Sequence, residues 1–176
     1  LGDVYKRQGV FATAKTVARI TVTEANTGLI LTIGSSNSSV TDTATVAASV
    51  SATSYQALVD AINSISGQTG VTAKAVANSG GVDIFDADGD DITIVRTDTN
   101  AKEMTIQSLK SDESTTVGTA RTMDKSGNNN DSIRVTGMID LTSDKTFTIT
   151  QNGTDTNAYF SDGAVSATAI STASLA

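Results

Sequence analysis

The chain contains no cysteine, no histidine, no proline and no tryptophan. Without cysteine there is no disulfide, no thiolate nucleophile and no thiolate-bound zinc. Without histidine the commonest general base and metal ligand is missing, and a Ser-His-Asp triad cannot be assembled. Aromatic residues make up only 4% of the 176 residues, so a core must be built from Ile, Val, Leu and Ala in thin layers. Basic residues are also few, 12 against 19 acidic ones, and the net charge of -7 disfavours nucleic acid and anionic membranes as partners. No run of about 18 apolar residues occurs, so no membrane-spanning helix is read, and the first residues hold no apolar signal region.

What the chain has instead is serine and threonine, 49 residues of the two together. This polar, β-prone composition is common in extracellular bacterial proteins. Short runs alternate with period two, the signature of half-buried strands. Arg19–Thr23 reads as a strand with Ile20 and Val22 on one face, and Leu29–Ile33 as its return across the turn "EANTG". Ala44–Val50 reads as a third strand. Val71–Ala77, Val82–Phe85 and Ile92–Arg96 follow, with "NSGG" and "DADGDD" as turns, the latter a hairpin signal through its Asp-Gly step. Further on, Glu103–Leu109, Ser132–Ile139, Thr146–Gln151 and Ala158–Phe160 read as strands. The segment Asp124–Asp131 reads as a polar loop.

One helix stands out, in "TSYQALVDAINSIS". Thr53 is placed to cap it, with Gln56 three residues on completing a capping box. Tyr55, Leu58, Val59, Ile62 and Ile65 share one face at helical spacing, and Gly67 and Gly70 are expected to stop it. That stripe reads as core rather than as a cofactor site. The expected fold class is therefore α+β: a small antiparallel sheet packed by one helix, followed by a mainly β second subdomain.

The opening "LGDVYKRQ" does not belong with the rest. Back-translated as GAT GTG TAT AAG AGA CAG, Asp3–Gln8 looks like the end sequence of transposase-based DNA library kits. Residues 1–8 are therefore expected to be a sequencing-adapter scar, and the chain a translated fragment. The remaining organisation is read as a linker over 9–18, an α+β unit over 19–99, a β-rich variable subdomain over 100–161 and a small-residue linker over 162–176, with a soft boundary near Asn100.

Several residues invite a chemical reading. Asp86, Asp88 and Asp90 have the one-three-five spacing of calcium ligands, but Gly89 stands at the fourth loop position and Thr97 at the twelfth, where an EF-hand needs Gly at the sixth and Glu at the twelfth. The plainer reading is a solvated acidic turn. Asp90 with Asp91, and Asp112 with Glu113, are carboxylate pairs, yet neighbours on a strand point to opposite faces and nothing sets them across a cleft. Asn37, Asn130 and Asn152 begin Asn-x-Ser/Thr triplets, expected by chance in so Ser/Thr-rich a chain. No catalytic, cofactor-binding or metal-binding residue is assigned, no cofactor is expected, and the chain is not read as an enzyme.

The stretch Arg19–Val95 resembles the flagellin IN repeat. The carriers are Ala61-Ile62-Asn63 at the end of a helix, Thr69-Gly70-Val71-Thr72-Ala73 opening a strand, and Ile92-Thr93-Ile94 closing a hairpin after a Gly-rich turn. They cover under half of the chain. More loosely, "LTSDKTFTITQNGTDTNAYF" and "ATAISTASLA" are similar to the stretch before the C-terminal helices of flagellins. The long helical ends of that family are not in this sequence. The resemblance implies a structural protein of the bacterial flagellum, exported unfolded, and O-glycosylation of flagellins at Ser/Thr. It implies other flagellin subunits as partners, through regions outside this chain, and host receptors, antibodies or phage at the surface, with no nucleic acid and no membrane. The same repeat occurs in filament cap and hook-associated proteins, which is the first alternative. A calcium-dependent cell-surface adhesin using Asp86, Asp88 and Asp90 is the second. The expected core is Ile20, Val22, Leu29, Leu31, Ile33, Leu58, Ile62, Val71, Ile92 and Ile94.

Overall fold

The computed structural model describes residues 9–22, 24, 26–35, 43–51, 53–98, 103–123, 131–143, 146–149 and 165–167. Leu1–Gln8, the expected adapter scar, the strand expected at Ala158–Phe160 and the division near Asn100 lie outside the described residues. The chain separates into a main unit, Ala14–Ile139, and a second unit made of Leu1–Thr13 with Asp140–Ala176.

The architecture is mainly antiparallel β with a small helical part. The strands are β1 (Val10–Val22), β2 (Asn26–Ser35), β3 (Ala44–Val50), β4 (Thr72–Ala75), β5 (Val82–Asp86), β6 (Ile92–Arg96), β7 (Met104–Leu109), β8 (Thr116–Met123), β9 (Asp131–Val135), β10 (Met138–Ser143), β11 (Phe147–Ile149) and β12 (Val165–Ala167). Two helical segments, α1 (Gln56–Ser64) and α2 (Ser66–Thr69), lie between β3 and β4.

The main unit holds two sheets. Sheet 1 runs β4-β5-β1-β7-β8 and sheet 2 runs β3-β2-β6-β9. Buried and exposed residues alternate most plainly in β3, where Ala44, Val46, Ala48 and Val50 are buried and the residues between them exposed. All ten expected core positions are buried in one cluster, to which both sheets and α1 contribute. Burying each large aliphatic side chain is worth about 1.5–3 kcal/mol, which is how a core with few rings still holds. The helix packs on β3 and on β4, an edge strand of each sheet, so it bridges the two along one side. Leu58, Val59 and Ile62 are its buried stripe.

The turns at "EANTG" and "DADGDD" are not hairpins. β1 pairs with β5 and β7, whereas β2 pairs with β3 and β6. Likewise β5 stays in sheet 1 and β6 belongs to sheet 2. Both turns carry the chain from one sheet to the other. The period-two pattern on either side is right, but alternation reports only which face is buried, and two facing sheets bury the same pattern as one hairpin.

The capping box does not form either. Tyr55 occupies the cap position without a side-chain cap bond. Thr53 sits in a tight turn closed by mutual backbone bonds between Ser51 and Ser54 (3.0 and 3.2 Å), and the Gln56 amide reaches forward to Asp60 Oδ1 (2.8 Å). Tyr55 sets the start instead, because its buried hydroxyl donates to Val22 O (3.2 Å) and accepts from Val22 N (3.0 Å). At the other end, Gly67 lies inside α2, and Gly70 closes that turn at φ +74.

Strand limits differ where pairing overrides local pattern. β1 starts at Val10, inside the stretch read as a linker, as the central strand of sheet 1 with a partner on each side. β8 has no counterpart among the strands expected from sequence, since most of its residues are exposed and only Met123 is buried. The expected strand Ser132–Ile139 divides into β9 and β10. The break falls at Thr136 and Gly137, where the backbone passes so close to Gly89 that only a residue without a Cβ fits.

In the second unit, β10 pairs with β1, and Ser143 Oγ donates to Gly9 O (2.8 Å). β11 pairs antiparallel with β12, which falls within the small-residue segment read as a linker.

Candidate functional site

Alternation along sheet 1 puts Lys15, Val17 and Arg19 of β1, Asp83 and Phe85 of β5, and Lys74 of β4 on its outward face. The register sets Arg19 beside Asp83 and Asp83 beside Lys74. Arg19 grips Asp83 with two bonds, Nε to Oδ1 at 2.6 Å and Nη2 to Oδ2 at 2.9 Å. The Asp83 bond raises the Arg19 pKa, against a smaller opposing effect of burial.

Over this face runs the loop Lys110–Thr115, which joins β7 to β8. Asp112 shapes it by accepting from the backbone N–H groups of Ser114 (2.9 Å) and Thr115 (2.8 Å) and from the Thr115 hydroxyl. Those bonds, the Thr115 hydroxyl first, hold the Asp112 carboxyl far below the usual carboxylate range. Glu113 takes a left-handed backbone conformation, φ +61, uncommon for a residue with a side chain. Its carbonyl accepts from Arg19 Nη2 (3.1 Å), Oε1 accepts from Lys15 Nζ (2.7 Å) and Oε2 from Lys74 Nζ (2.6 Å). These bonds, Lys15 first and then Lys74, hold the Glu113 carboxyl low, and the Glu113 bond in turn raises Lys74. The two ammonium groups stand 4.8 and 5.5 Å from the centroid of the Phe85 ring. Val17 and Leu109, cross-strand partners with only 1% of their surface exposed, complete an apolar floor on the same face. The loop is therefore a strap fastened on both sides of Val17.

The acidic turn is organised by Asp86. Its Oδ1 accepts from the N–H groups of Asp88 (3.0 Å) and Asp90 (3.1 Å), and its Oδ2 from Ser35 Oγ (2.9 Å). Asp88 is exposed. Among the described residues no group of three His, Cys, Asp or Glu could hold a metal ion, and Asp86, Asp88 and Asp90 are all described. The Asp90 carboxyl is pushed up, by desolvation first and then by the charges of Asp86, Asp88 and Asp91. Asp91 faces the other way, where its Oδ1 accepts from Gly137 N (3.2 Å) and its Oδ2 pairs with Arg134 (3.4 Å). The turn is bolted to the main unit further by Thr16 Oγ1, which donates to the Asp90 carbonyl (2.7 Å).

The carboxylate pairs seen in the sequence thus separate in space and in role. Asp112 shapes the strap and Glu113 fastens it, while Asp91 holds the β9–β10 corner. Asn37, Asn130 and Asn152 lie outside the described residues. Tyr55, Leu58 and Ile62 belong to the core.

Sequence reasoning missed the ion pair of Arg96 and Asp98, both buried. Arg96 ends a strand, where an arginine reads as solvated. The signal that could have found it was parity, since Ile92, Ile94 and Arg96 share the inward face. It missed as well that Lys15, Lys74 and Glu113 converge, because they are brought together from three distant parts of the chain.

The arrangement can neutralise and hold charge. Compared with known proteins, the chain matches no family model and no curated protein sequence.

Proposed function

We propose that this chain is a structural domain displayed on the outside of a bacterial flagellar filament, the variable middle region of the filament subunit. Its work is to set the charge and hydration of the filament surface, and to meet antibodies, host receptors or phage there. Polymerisation belongs to helical segments that the resemblance places outside this region.

One observation carries the reading: the succession Ala61-Ile62-Asn63, Thr69-Gly70-Val71-Thr72-Ala73 and Ile92-Thr93-Ile94, in the order and spacing of the flagellin IN repeat. The roles of those residues support it. Ile62, Val71, Ile92 and Ile94 are fully buried, Gly70 closes a helical turn, and the Asn63 side chain bonds both the N–H and the C=O of Ala73 (2.8 and 3.0 Å). A motif kept for architecture rather than chemistry has this character.

The experiment is to recover the source gene and read beyond both ends of this region. Long amphipathic helical segments on both sides support the filament reading. Continuing Asp-rich β repeats overturn it in favour of a surface adhesin. Antibodies raised against the domain then separate the family members: labelling along the whole filament fits the subunit, and labelling only at the tip or the hook junction fits a cap or hook-associated protein.

A further inference from the structure

Two ammonium groups from different strands of sheet 1 are aimed at one point. Lys15 lies on β1 and Lys74 on β4, with β5 between them. Phe85 of β5 has one ammonium 4.8 Å and the other 5.5 Å from its ring centroid. Two like charges so placed repel, and the ring's attraction for each is modest at a half-exposed site. What joins them is the Glu113 carboxylate, one oxygen to each, at 2.7 and 2.6 Å. The cations and the ring belong to the paired strands of the sheet. The anion comes from a loop, on a residue in the left-handed backbone region, which glycine adopts far more readily than glutamate.

We propose that Lys15, Lys74 and Phe85 form a carboxylate-binding cradle, occupied here by the chain's own Glu113 and open to a carboxylate from outside when the strap lifts. Lifting breaks the bonds from the two lysines and the one from Arg19 to the Glu113 carbonyl. Arg19 keeps Asp83 throughout, so the released site does not collapse onto that second carboxylate. Phe85 beside Val17 and Leu109 gives the site an apolar floor. The matching ligand is a carboxylate carried on a compact body with an apolar side, as in a uronic sugar or an acidic side chain. The cradle depends on the geometry of sheet 1 and not on membership of a filament.

The test uses Glu113→Gly in the whole chain. Glycine takes the left-handed conformation without strain, so the loop can still form, while the carboxylate and the two lysine bonds that fasten the strap are lost. Melting is followed in sodium acetate, sodium glucuronate, the sodium salt of N-acetyl-aspartate amide, and sodium chloride, all at one ionic strength. The carboxylate salts are expected to raise the melting temperature of the variant over that in chloride by about 2–4 °C more than they do for the unaltered chain, whose cradle is filled. Adding Lys74→Gln, at a side chain already 61% exposed, removes that difference. Equal effects of acetate and glucuronate identify the bare carboxylate as the ligand, whereas a larger effect of glucuronate or of the aspartate derivative names the sugar or the side chain as the source. If the difference between carboxylate and chloride is the same in all three proteins, the lysines and Glu113 are an ordinary screened ion pair and the cradle does not exist.

Discussion

Arg96 and Asp98, two residues apart at the end of β6, form a two-bond ion pair sealed from water. Nε of Arg96 donates to Asp98 Oδ2 at 3.0 Å and Nη2 to Oδ1 at 3.1 Å, with side-chain exposures of 0% and 2%. Nη1 donates to the carbonyl of Met123 on β8 (3.0 Å), and Asp98 Oδ2 accepts from Ile30 N on β2 (3.2 Å). A strand of sheet 2 is thereby tied to a strand of sheet 1 by charge. Removing one partner leaves the other buried and uncompensated, so Asp98→Ala is expected to cost about 3–5 kcal/mol, read from the midpoint of urea unfolding. Replacing both residues together by Arg96→Met and Asp98→Leu should cost much less. A loss below about 1 kcal/mol in the single variant would mean that water reaches the pair.

Acid should loosen the strap. The folded-state pKa of Glu113 lies below its unfolded value, so its stabilisation is complete above the unfolded value of about 4.3 and is lost as pH falls through the lower, folded one. Asp90 has the opposite sign: its pKa is raised, so its ionised form weakens the fold at neutral pH and protonation relieves it. Urea midpoints measured from pH 7 down to about pH 2 should fall less steeply for Glu113→Gln than for the unaltered chain. Asp90→Asn should raise the midpoint at pH 7 and leave a steeper fall. Parallel curves for all three proteins would remove both groups from the account.

Two glycines make a contrast. Gly137→Ala drives a methyl group onto the Gly89 carbonyl oxygen, where a Cβ would lie 1.9 Å away, backbone against backbone. The corner between β9 and β10 must open, at a cost of about 1–3 kcal/mol or more. Gly67, in α2, has nothing within 4 Å of its would-be Cβ. Gly67→Ala should stabilise by about 0.5–1 kcal/mol through the lower helix propensity of glycine. Thermal melting of the two variants side by side decides this, and a destabilised Gly67→Ala would contradict the open space seen there.

Calcium should leave the protein unchanged. Among the described residues no group of three acidic side chains is placed to hold an ion, and Asp86 already accepts three bonds from within the protein. Melting in millimolar calcium and in chelator should coincide. A rise of several degrees with calcium would favour the adhesin alternative.

The sequence is most legible where one residue's burial depends on its own strand. Ile20, Leu31, Ile62 and Ile94 announce themselves by period, and β3 and β6 begin and end where alternation puts them. It is least legible where position depends on a distant partner. Nothing local distinguishes a turn that folds a hairpin from one that changes sheets, so Asp86–Asp91 reads as the wrong one of the two. β8 owes its strand to the ladder with β7, including the Gln107 side chain, whose amide donates to Val117 O (2.9 Å) beside an irregularity in register. The strap is hidden for the same reason. Glu113 has no meaning as a sequence neighbour of Asp112, and acquires one only when Lys15 and Lys74 arrive from elsewhere.

The interleaving of the two sheets bears on how the chain reaches its fold. Within the main unit, sheet 1 draws on the first, fourth, fifth, seventh and eighth strands, and sheet 2 on the second, third, sixth and ninth. Neither can be completed from a contiguous piece of chain. β1, the first strand made, sits between β5 and β7, and β6 waits for β9. Such non-local pairing has a high contact order, so assembly is slow and close to all-or-none. A nascent chain cannot complete either sheet until its later strands are present, and a fragment ending at Asn100 would expose one long flank of β1 with no strand to meet it.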